Sequence, residues 1–432
     1  MEFSFDKPEA RRNVLVLCVL IALLLTYQAV RLCVADVLVQ SDNPARIARG
    51  VALEPGNGDA WDRLGRIHQW DFVNPNPALA ASEYLRAAHD DPNSAHFLMD
   101  LAGAYEANGE TALAKEAWIR ARAVYPASAE VEWNYGNFLL RQQDFAGGYA
   151  LIRRAVEVDP SLLPLAISRT WRASQDLPAL LDQALPSTPR AYFQALDFFA
   201  SIHDADSAIQ VWHRIVELRK PIALPQTFPF FQALIDGDRS TEARQAWSEA
   251  VAAAGLAKDG TNGTALVWNG DFSMNMQNGG LAWRWHNAIG TSIDFDTPPL
   301  GQQGRSVRID FDGGSNLDLS EPLQYVPVEP GRMYHFRAFM RTQDITTESG
   351  MGFQLTDPNH DGALNVSAGS LTSTNPWAPV ETDFTTGPAT HFILLCLRRA
   401  PSRLFENKLS GSVWIASVSL TESNSPAEFP AK

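Results

Sequence analysis

Residues 97–126, "FLMDLAGAYEANGETALAKEAWIRARAVYP", carry the pattern that decides the first half of the fold. Apolar residues recur there at three- and four-residue spacing, which predicts a helix, and "NGE" predicts the turn that follows it. A second helical run then ends at Pro126, because proline cannot continue a helix. Two short helices cannot bury their apolar faces alone, so this unit is expected to stack against similar units.

Similar units flank this one in both directions. Pro55, Pro92, Pro126 and Pro160 each end an Ala-rich helical segment and recur about every 34 residues. Small and large residues also match between the units: Trp61, Leu64, Gly65, Ala80, Tyr84 and Ala87; Leu101, Ala102, Tyr105, Ala114, Trp118 and Ala121; and Gly136, Gly148, Ile152 and Ala155. This pattern resembles the tetratricopeptide repeat (TPR) family. It weakens after Pro160 and returns in "AIQVW" and "ARQAW", which predicts about six helix pairs over residues 41–256.

The resemblance implies a curved helical solenoid that binds a partner protein or peptide on its concave face. It places these residues on that face: Asp62, Arg66, Gln69, Met99, Glu106, Trp133, Asn137 and Arg141. The alternative is that they are ordinary solvated surface. The histidines of these helices, such as His68 and His96, stand singly in the sequence, which favours structural or surface roles over metal binding or catalysis.

The N-terminal region predicts a membrane anchor. Residues 13–30, "NVLVLCVLIALLLTYQAV", are apolar and uncharged, and the run reaches spanning length if it extends to residue 35. A cleavable signal peptide is the alternative, but its apolar region is usually shorter and no small-x-small cleavage site follows. Basic residues are nearly balanced on the two sides. Because residues 1–12 are a short tail that is easily left in the cytoplasm, we expect a single-pass inner (plasma) membrane protein with most of the chain outside the cytoplasm.

The composition of the chain limits the kinds of molecule that it is expected to bind. The 432 residues carry a formal net charge of −14, which argues against nucleic-acid binding because that requires a basic surface. Glycans, peptides and protein partners stay compatible with this charge. Three scattered cysteines provide neither a disulfide framework nor a Cys-x-x-Cys metal site. We therefore expect no cofactor and no metal site.

The pattern changes at residues 257–264, "AKDGTNGT", which predict a linker. Alternating segments follow, among them "RSVRIDF", "RMYHFRAFMRT", "GMGFQLT", "HFILLCLRR" and "GSVWIASVSL". Roughly nine or ten short strands separated by turns predict an antiparallel sandwich. The predicted organisation is thus multidomain: an anchor at 13–35, an all-α TPR-like solenoid at 41–256, an all-β jelly-roll sandwich at 265–423 and a tail at 424–432.

The sandwich begins with "LVWNGDFSMNMQNGGLAWRW", residues 266–285. Its "NGDF", the following Trp283, "VPVEPGRMYHFRAFMR" and the closing "GSVWIASVSL" together resemble jelly-roll carbohydrate-binding modules over residues 266–421. That family often holds a structural calcium ion with acidic residues, but Ser273, Ala416 and Ser417 stand at those positions, so the site is expected to be lost. The loop 357–362, "DPNHDG", begins like a calcium loop but has Ala368 at the twelfth position, which favours a polar turn.

Strand alternation and aromatic content select candidate glycan contacts. In "RMYHFRAFMR", Tyr334, Phe336, Ala338 and Met340 are predicted to face the core, so their neighbours face outward. Trp268, Trp283 and Trp414 are predicted to pack in the core. The predicted glycan-binding residues are Trp285, Trp377, Arg337, Phe339 and Arg341, with Trp377 in an exposed loop.

No catalytic motif stands out in the sequence. Glu381 and Asp383 alternate as an acid pair on a strand, but they lack the further acid and aromatic context of jelly-roll glucanases. The leading hypothesis is a membrane-anchored, non-catalytic scaffold that binds partner proteins through the solenoid and glycan through the sandwich, in extracellular polysaccharide assembly, export or envelope organisation. The alternatives are a structural or protein-interaction subunit of a membrane complex without sugar binding, and a glycoside hydrolase built on the sandwich.

Overall fold

The computed structural model describes residues 8–257 and 266–423, which fall into two compact units, Met1–Pro186 and Ser187–Lys432. The first seven residues of the predicted cytoplasmic tail, nearly all of the predicted linker 257–264 and the predicted tail 424–432 lie outside the described residues. Within the described residues, helices come first and an antiparallel β-domain follows. The fold class predicted from the sequence is therefore confirmed.

Up to residue 174 the helices follow the predicted period, and beyond it the spacing becomes irregular. Their bounds are α1 Pro8–Val39, α2 Pro44–Leu53, α3 Gly58–Gln69, α4 Pro77–Asp90, α5 Ala95–Ala107, α6 Thr111–Val124, α7 Ala129–Arg141, α8 Phe145–Val158, α9 Leu163–Ser174, α10 Leu177–Ala179 with a π-helical continuation Leu180–Ala184, α11 Pro189–Ser201, α12 Ala205–Glu217, α13 Phe228–Asp236 and α14 Ser240–Ala253. Asn57, Ser94 and Ser128 begin α3, α5 and α7, and each side chain accepts a backbone N–H of the first turn. These bonds satisfy donors that a helix start leaves free.

In the first unit, α3 pairs with α4, α5 with α6 and α7 with α8. Small residues let the paired helices approach: a Cβ on Gly65 would lie 2.8 Å from the Tyr84 ring. Between the α5–α6 pair and the next pair, the Trp118 ring stacks on Tyr135 with centroids 6.1 Å apart. The small and large positions of the repeats therefore form the packing seam.

Helix α1 is long and apolar enough to cross a membrane, judged by length and composition alone, and none of the residues in its most apolar stretch is buried against the rest of the protein. A signal sequence passes the same test. The end of α1 packs on α2: Ala35 is buried, and a Cβ on Gly50 would lie 2.9 Å from the carbonyl oxygen of Ala35. The apolar helix thus continues directly into the first helix contact of the unit.

In the second unit, helices α11–α14 precede two antiparallel sheets. The strands are β1 Thr291–Asp296, β2 Ser306–Asp312, β3 Leu323–Pro327, β4 Met333–Ile345, β5 Met351–Thr356, β6 Asn365–Leu371, β7 Ser373–Thr385, β8 Phe392–Arg398 and β9 Ser410–Glu422. One sheet has the order β1-β2-β9-β4-β7 and the other β3-β8-β5-β6. Tyr334, Phe336, Ala338 and Met340 lie in the core between the sheets, as predicted.

Helices α13 and α14 pack directly against the β-domain. The Trp247 ring of α14 meets Trp268 edge to face, with centroids 5.5 Å apart. A Cβ on Gly279 would lie 2.0 Å from Phe228, and one on Gly280 2.4 Å from Trp247. The glycines of "NGG", in the stretch 266–285, therefore leave the space in which the rings of Phe228 and Trp247 pack against the sandwich.

Three polar contacts reinforce this packing. Arg244 donates to the carbonyl oxygen of Pro327, Arg284 donates to Gln232, and the side-chain amide of Asn359 donates to the carbonyl oxygen of Ile235. The final helix pair and the sandwich consequently share one buried interface within the second unit.

Candidate binding surfaces

The first surface, called here the first-helix face, is the face on which α3, α5, α7 and α9 contact one another in the first unit. Arg141 of α7 donates two hydrogen bonds, of 2.6 and 2.7 Å, to the carboxylate of Glu106 on α5. The guanidinium of Arg169 on α9 lies 5.8 Å from the centre of the Trp133 ring. Predicted residues from different repeats thus meet on one face, and Arg169, which was not among the predicted residues, joins them.

Three predicted members of this face are not exposed. Asp62, Met99 and Asn137 are buried, and the Asn137 side-chain amide donates to the carbonyl oxygen of Trp133 at 2.7 Å. They are short or apolar side chains between neighbouring helices, so the packing covers them. The prediction that all eight residues line an accessible face was therefore wrong for these three. The members with solvent access are Arg66, Gln69, Glu106, Trp133 and Arg141.

A charged cluster lies between α3 and α5 on this face. The guanidinium of Arg66 lies 2.7 Å from Oδ2 of Asp62, and Asp100 and His96 of α5 lie beside them. Burial, together with the charge of Asp100, raises the pKa of the Asp62 carboxyl to about 6. Linear spacing did not predict this cluster, because Asp62 stands a full repeat before Asp100. The signal was present in the i, i+4 spacing of His96 and Asp100.

The second surface is the outer face of the five-stranded sheet. Strand register places Asp294, Arg308, Trp414 and Arg341 in one row across β1, β2, β9 and β4. On the neighbouring strand β7, Val380 faces the core. Because side chains alternate along a strand, Pro379 and Trp377 lie on the outer face. We call this row and its polar neighbours on β4 and β7 the sheet face.

Trp414 lies on the sheet face and outside the core cluster, although the sequence predicted core packing. Its neighbours Val413 and Ile415 point inward, so alternation sends its ring outward. It is nonetheless buried, because the guanidinium groups of Arg308 and Arg341 lie over the ring at 5.3 and 4.6 Å from its centroid. The Trp414 indole N–H donates to Asp296 at 3.1 Å. Hydrogen bonds from the Thr297 backbone N–H and from this indole hold the pKa of Asp296 below its usual range.

Side-chain pairs between β4 and β7 order the polar part of the sheet face. Arg337 pairs with Glu381 at 3.0 Å, and His335 pairs with Asp383 at 2.8 Å. The guanidinium of Arg337 also lies 5.3 Å from the centre of the Phe339 ring. Arg337, Phe339 and Arg341, selected from the sequence, thus share one face with the two acids that were weighed as a catalytic pair.

Two aromatic predictions need correction. Trp285 is only 6% exposed and belongs to the sandwich core, where its indole N–H donates to Asn287, so it offers no free ring face to a sugar. Trp377 lies within strand β7 rather than in a loop, and it is half-buried. The aromatic rings with access from the sheet face are therefore those of Trp377 and Phe339.

The loop 357–362 forms a polar turn. Oδ1 of Asp357 accepts the backbone N–H groups of Asn359 and His360, and Asn359 also donates to Asp238 beyond α13. These oxygens and donors are engaged in the turn and in its contact with the helices. The geometry supplies a structural reason for the "DPNHDG" sequence that involves no ion.

Comparison with known proteins gives partial likenesses. No family model matches the chain, and no curated protein matches it either. Among solved structures, PilF of Pseudomonas aeruginosa is 18% identical over 44% of this chain and 91% of its own, with a TM-score of 0.30. YrrB, a TPR protein, is 11% identical over 48% and 91%, with a TM-score of 0.26. A CBM4 structure is 13% identical over 36% and 99%, with a TM-score of 0.27.

Proposed function

We propose that this protein is a membrane-anchored, non-catalytic adaptor that binds a partner polypeptide on the first-helix face and a glycan on the sheet face. The observation that carries the glycan half is the row of aromatic and guanidinium groups on the sheet face. The proposal places α1 in the inner membrane, with both units outside the cytoplasm. Its setting is extracellular polysaccharide assembly, export or organisation of the cell envelope.

The sheet face has the chemistry that glycan binding requires. Sugar rings pack on aromatic rings, and their hydroxyl groups need fixed donors and acceptors. Trp377 and Phe339 supply the rings, while Arg337 and Arg341 supply donors. The pairing of Arg337 with Glu381 holds both side chains in place before a ligand arrives, which reduces the entropy lost on binding.

The first-helix face supports a polypeptide partner. Helices α3 and α7 present Arg66, Trp133 and Arg141 with solvent access. Trp133 is half-buried beside Arg169 of α9, and tryptophan and arginine are enriched in interface hot spots. An acidic side chain of an extended or helical segment would pair with the exposed Arg169 and would compete with Glu106 for Arg141. No part of this proposal uses Glu381 and Asp383 as catalysts, because each is already held by a β4 side chain, Glu381 by Arg337 and Asp383 by His335.

A glycan screen of the full chain in detergent tests the first half. Trp377→Ala is expected to lower the affinity about tenfold, the loss of roughly 1.4 kcal/mol typical of an aromatic contact. Phe405→Ala is the matched control, because Phe405 is fully exposed but lies in the loop between β8 and β9. No glycan bound, or equal losses in the two variants, would leave the sandwich as a protein-interaction or structural subunit instead.

Co-purification from native membranes tests the second half. A stoichiometric partner is expected with the wild type and is expected to be lost with Trp133→Ala and Arg141→Glu. Arg120→Glu is the control, since Arg120 is an exposed arginine on α6. This helix is the second of the α5–α6 pair and is not part of the first-helix face. Retention of the partner by the two first-helix variants would contradict this surface. Reporter fusions after Leu256 test the topology, and a cytoplasmic location would remove the extracellular glycan from the proposal.

A further inference from the structure

Three potential metal ligands meet between α3 and α5. His96 and Asp100 stand four residues apart on α5, so their side chains project from the same face of that helix. Asp62 comes from α3, one repeat earlier. One ligand atom from each of the three side chains lies within 4.8 Å of the others. The repeat packing therefore assembles a set that the linear sequence separates.

The separations match those of ligands around a small divalent ion. Nε2 of His96 lies 3.8 Å from Oδ2 of Asp62 and 3.7 Å from Oδ2 of Asp100. Zinc binds imidazole nitrogen and carboxylate oxygen at about 2.0–2.2 Å in a tetrahedral arrangement, so adjacent ligands stand roughly 3.3–3.6 Å apart. Small rotations of the side chains close the difference.

Two carboxylate oxygens of this set lack hydrogen bonds. Among the described residues, no donor forms a hydrogen bond with Oδ1 of Asp62 or Oδ2 of Asp100, although both atoms are buried. The Asp62 side chain is only 1% exposed. Buried anionic oxygens are costly unless a cation or a shared proton lies between them, and a divalent cation would serve both carboxylates at once.

One protein cation already approaches the pair. The Arg66 guanidinium lies 2.7 Å from Asp62 but 3.9 Å from Asp100, so it serves one carboxylate well and the other poorly. Its side chain is about half exposed (51%), which leaves it free to turn towards solvent. A metal ion and Arg66 would compete for the same oxygens.

We propose that Asp62, His96 and Asp100 bind one divalent transition-metal ion, of which Zn²⁺ is the representative. Three protein ligands leave a fourth position of the ion free. His96 is about half exposed, so that position opens towards solvent on the first-helix face. The ion ties α3 to α5 and offers water or a partner's side chain a coordination site.

The test measures Zn²⁺ bound to the full chain, purified in detergent without a histidine tag and stripped with a chelator. Elemental analysis and calorimetry are expected to give one equivalent for the wild type. Asp62→Asn and His96→Ala are expected to lower the affinity at least tenfold, because each removes a ligand. His89→Ala is the control, since His89 is an exposed histidine on α4 that also lies next to an acidic residue.

Arg66→Gln separates the metal site from a simple ion-pair cluster. This variant is expected to bind Zn²⁺ at least as tightly as the wild type, because it removes a competing cation. The proposal is overturned if the wild type binds no stoichiometric ion, or if His96→Ala keeps it. It is also overturned if Arg66→Gln loses the ion. Circular dichroism of each variant shows whether a variant that no longer binds the ion is still folded.

Discussion

Asp62 is costly to ionise in the folded first unit. Its pKa rises from 3.8 to about 6 in the folded protein, because burial and the neighbouring Asp100 both oppose its ionisation. The folded state therefore binds this proton more tightly than the unfolded state does. The cost of ionising Asp62 is fully present above about pH 6, and it disappears as the pH falls from about 6 towards 3.8.

Asp62→Asn is accordingly expected to raise the unfolding free energy by about 1–3 kcal/mol at pH 7.5, and the gain is expected to shrink towards pH 4.5. Thermal unfolding of the full chain in detergent, with a chelator present, measures the difference. Asp71→Asn is the control, because backbone N–H groups of Asn74 and Val73 lower the pKa of Asp71. A gain that is independent of pH, or equal in the two variants, would contradict the assignment.

Gly280 stands where two requirements coincide. Its φ of +57° is unfavourable for a residue with a Cβ, and that Cβ would lie 2.4 Å from the Trp247 ring. Gly331 has a similar φ of +69° but nothing within 4 Å of a Cβ. Alanine at either position costs roughly 1–2 kcal/mol for the left-handed backbone, and at Gly280 about 1–3 kcal/mol more for the overlap.

Gly280→Ala should thus lower the unfolding midpoint of the second unit more than Gly331→Ala does, by about 2–4 °C for each additional kcal/mol. Differential scanning calorimetry of the two variants gives the comparison. Equal midpoints would show that the Trp247 contact does not constrain this turn.

At the scale of the element, Trp118 links the α5–α6 and α7–α8 pairs through apolar packing. It is 5% exposed and packs against Tyr135 and Phe138, whereas the next residue, Ile119, is 52% exposed. Trp118→Ala is expected to cost about 3–5 kcal/mol, and Ile119→Ala about 0.5 kcal/mol or less. Denaturant unfolding followed by far-ultraviolet circular dichroism measures both, and similar losses would contradict the predicted seam.

Element identity followed from the sequence wherever the period was strong. The Ala, Trp and Pro spacing of residues 97–126 predicted α5 and α6, because packing of a helix seam requires those residue sizes. The inner residues of β4 followed from alternation alone. The prediction for Trp285 was wrong because Trp285 stands two residues from the core residue Trp283 and shares its inward side, although the segment belongs to no named strand. The prediction for Trp414 was wrong because a large aromatic residue in a strand is usually a core residue. Here its apolar neighbours Val413 and Ile415 already occupy the inward positions.

The sites were harder to predict than the elements, for a physical reason. Asp62 and Asp100 meet only because α3 and α5 pack side by side, and Trp133 meets Arg169 only through the packing of α7 and α9. Each such contact depends on helix rotation and register, which the repeat period alone does not specify. The contact between Trp247 and Trp268 depends in the same way on how a helix docks on a sheet.

At the scale of the whole molecule, the second unit combines helices α11–α14 with the sandwich. A fragment of residues 187–423 is therefore expected to be more stable than a fragment of residues 266–423, which lacks Trp247, Phe228 and the hydrogen-bond partners of Arg284 and Asn359. Urea unfolding midpoints of the two fragments provide the test.

Trp247→Ala in the longer fragment is the accompanying variant and should move its midpoint towards that of the shorter one. The shorter fragment should also bind more of a hydrophobic dye, because its surface around Trp268 is uncovered. Identical midpoints would show that the helices and the sandwich are energetically independent, as a boundary at residues 257–264 would imply.

The contact of α14 with the β-domain bears on how a helical repeat array ends. Each repeat buries its apolar side on the next one, so the last repeat is left with an unmatched side and usually requires a polar terminal helix to keep the protein soluble. Here α14 is Ala-rich, and its Trp247 lies against Trp268 rather than against a further helix. The β-domain serves as the terminator of the array, and lengthening the array by one repeat would require a new partner for that tryptophan.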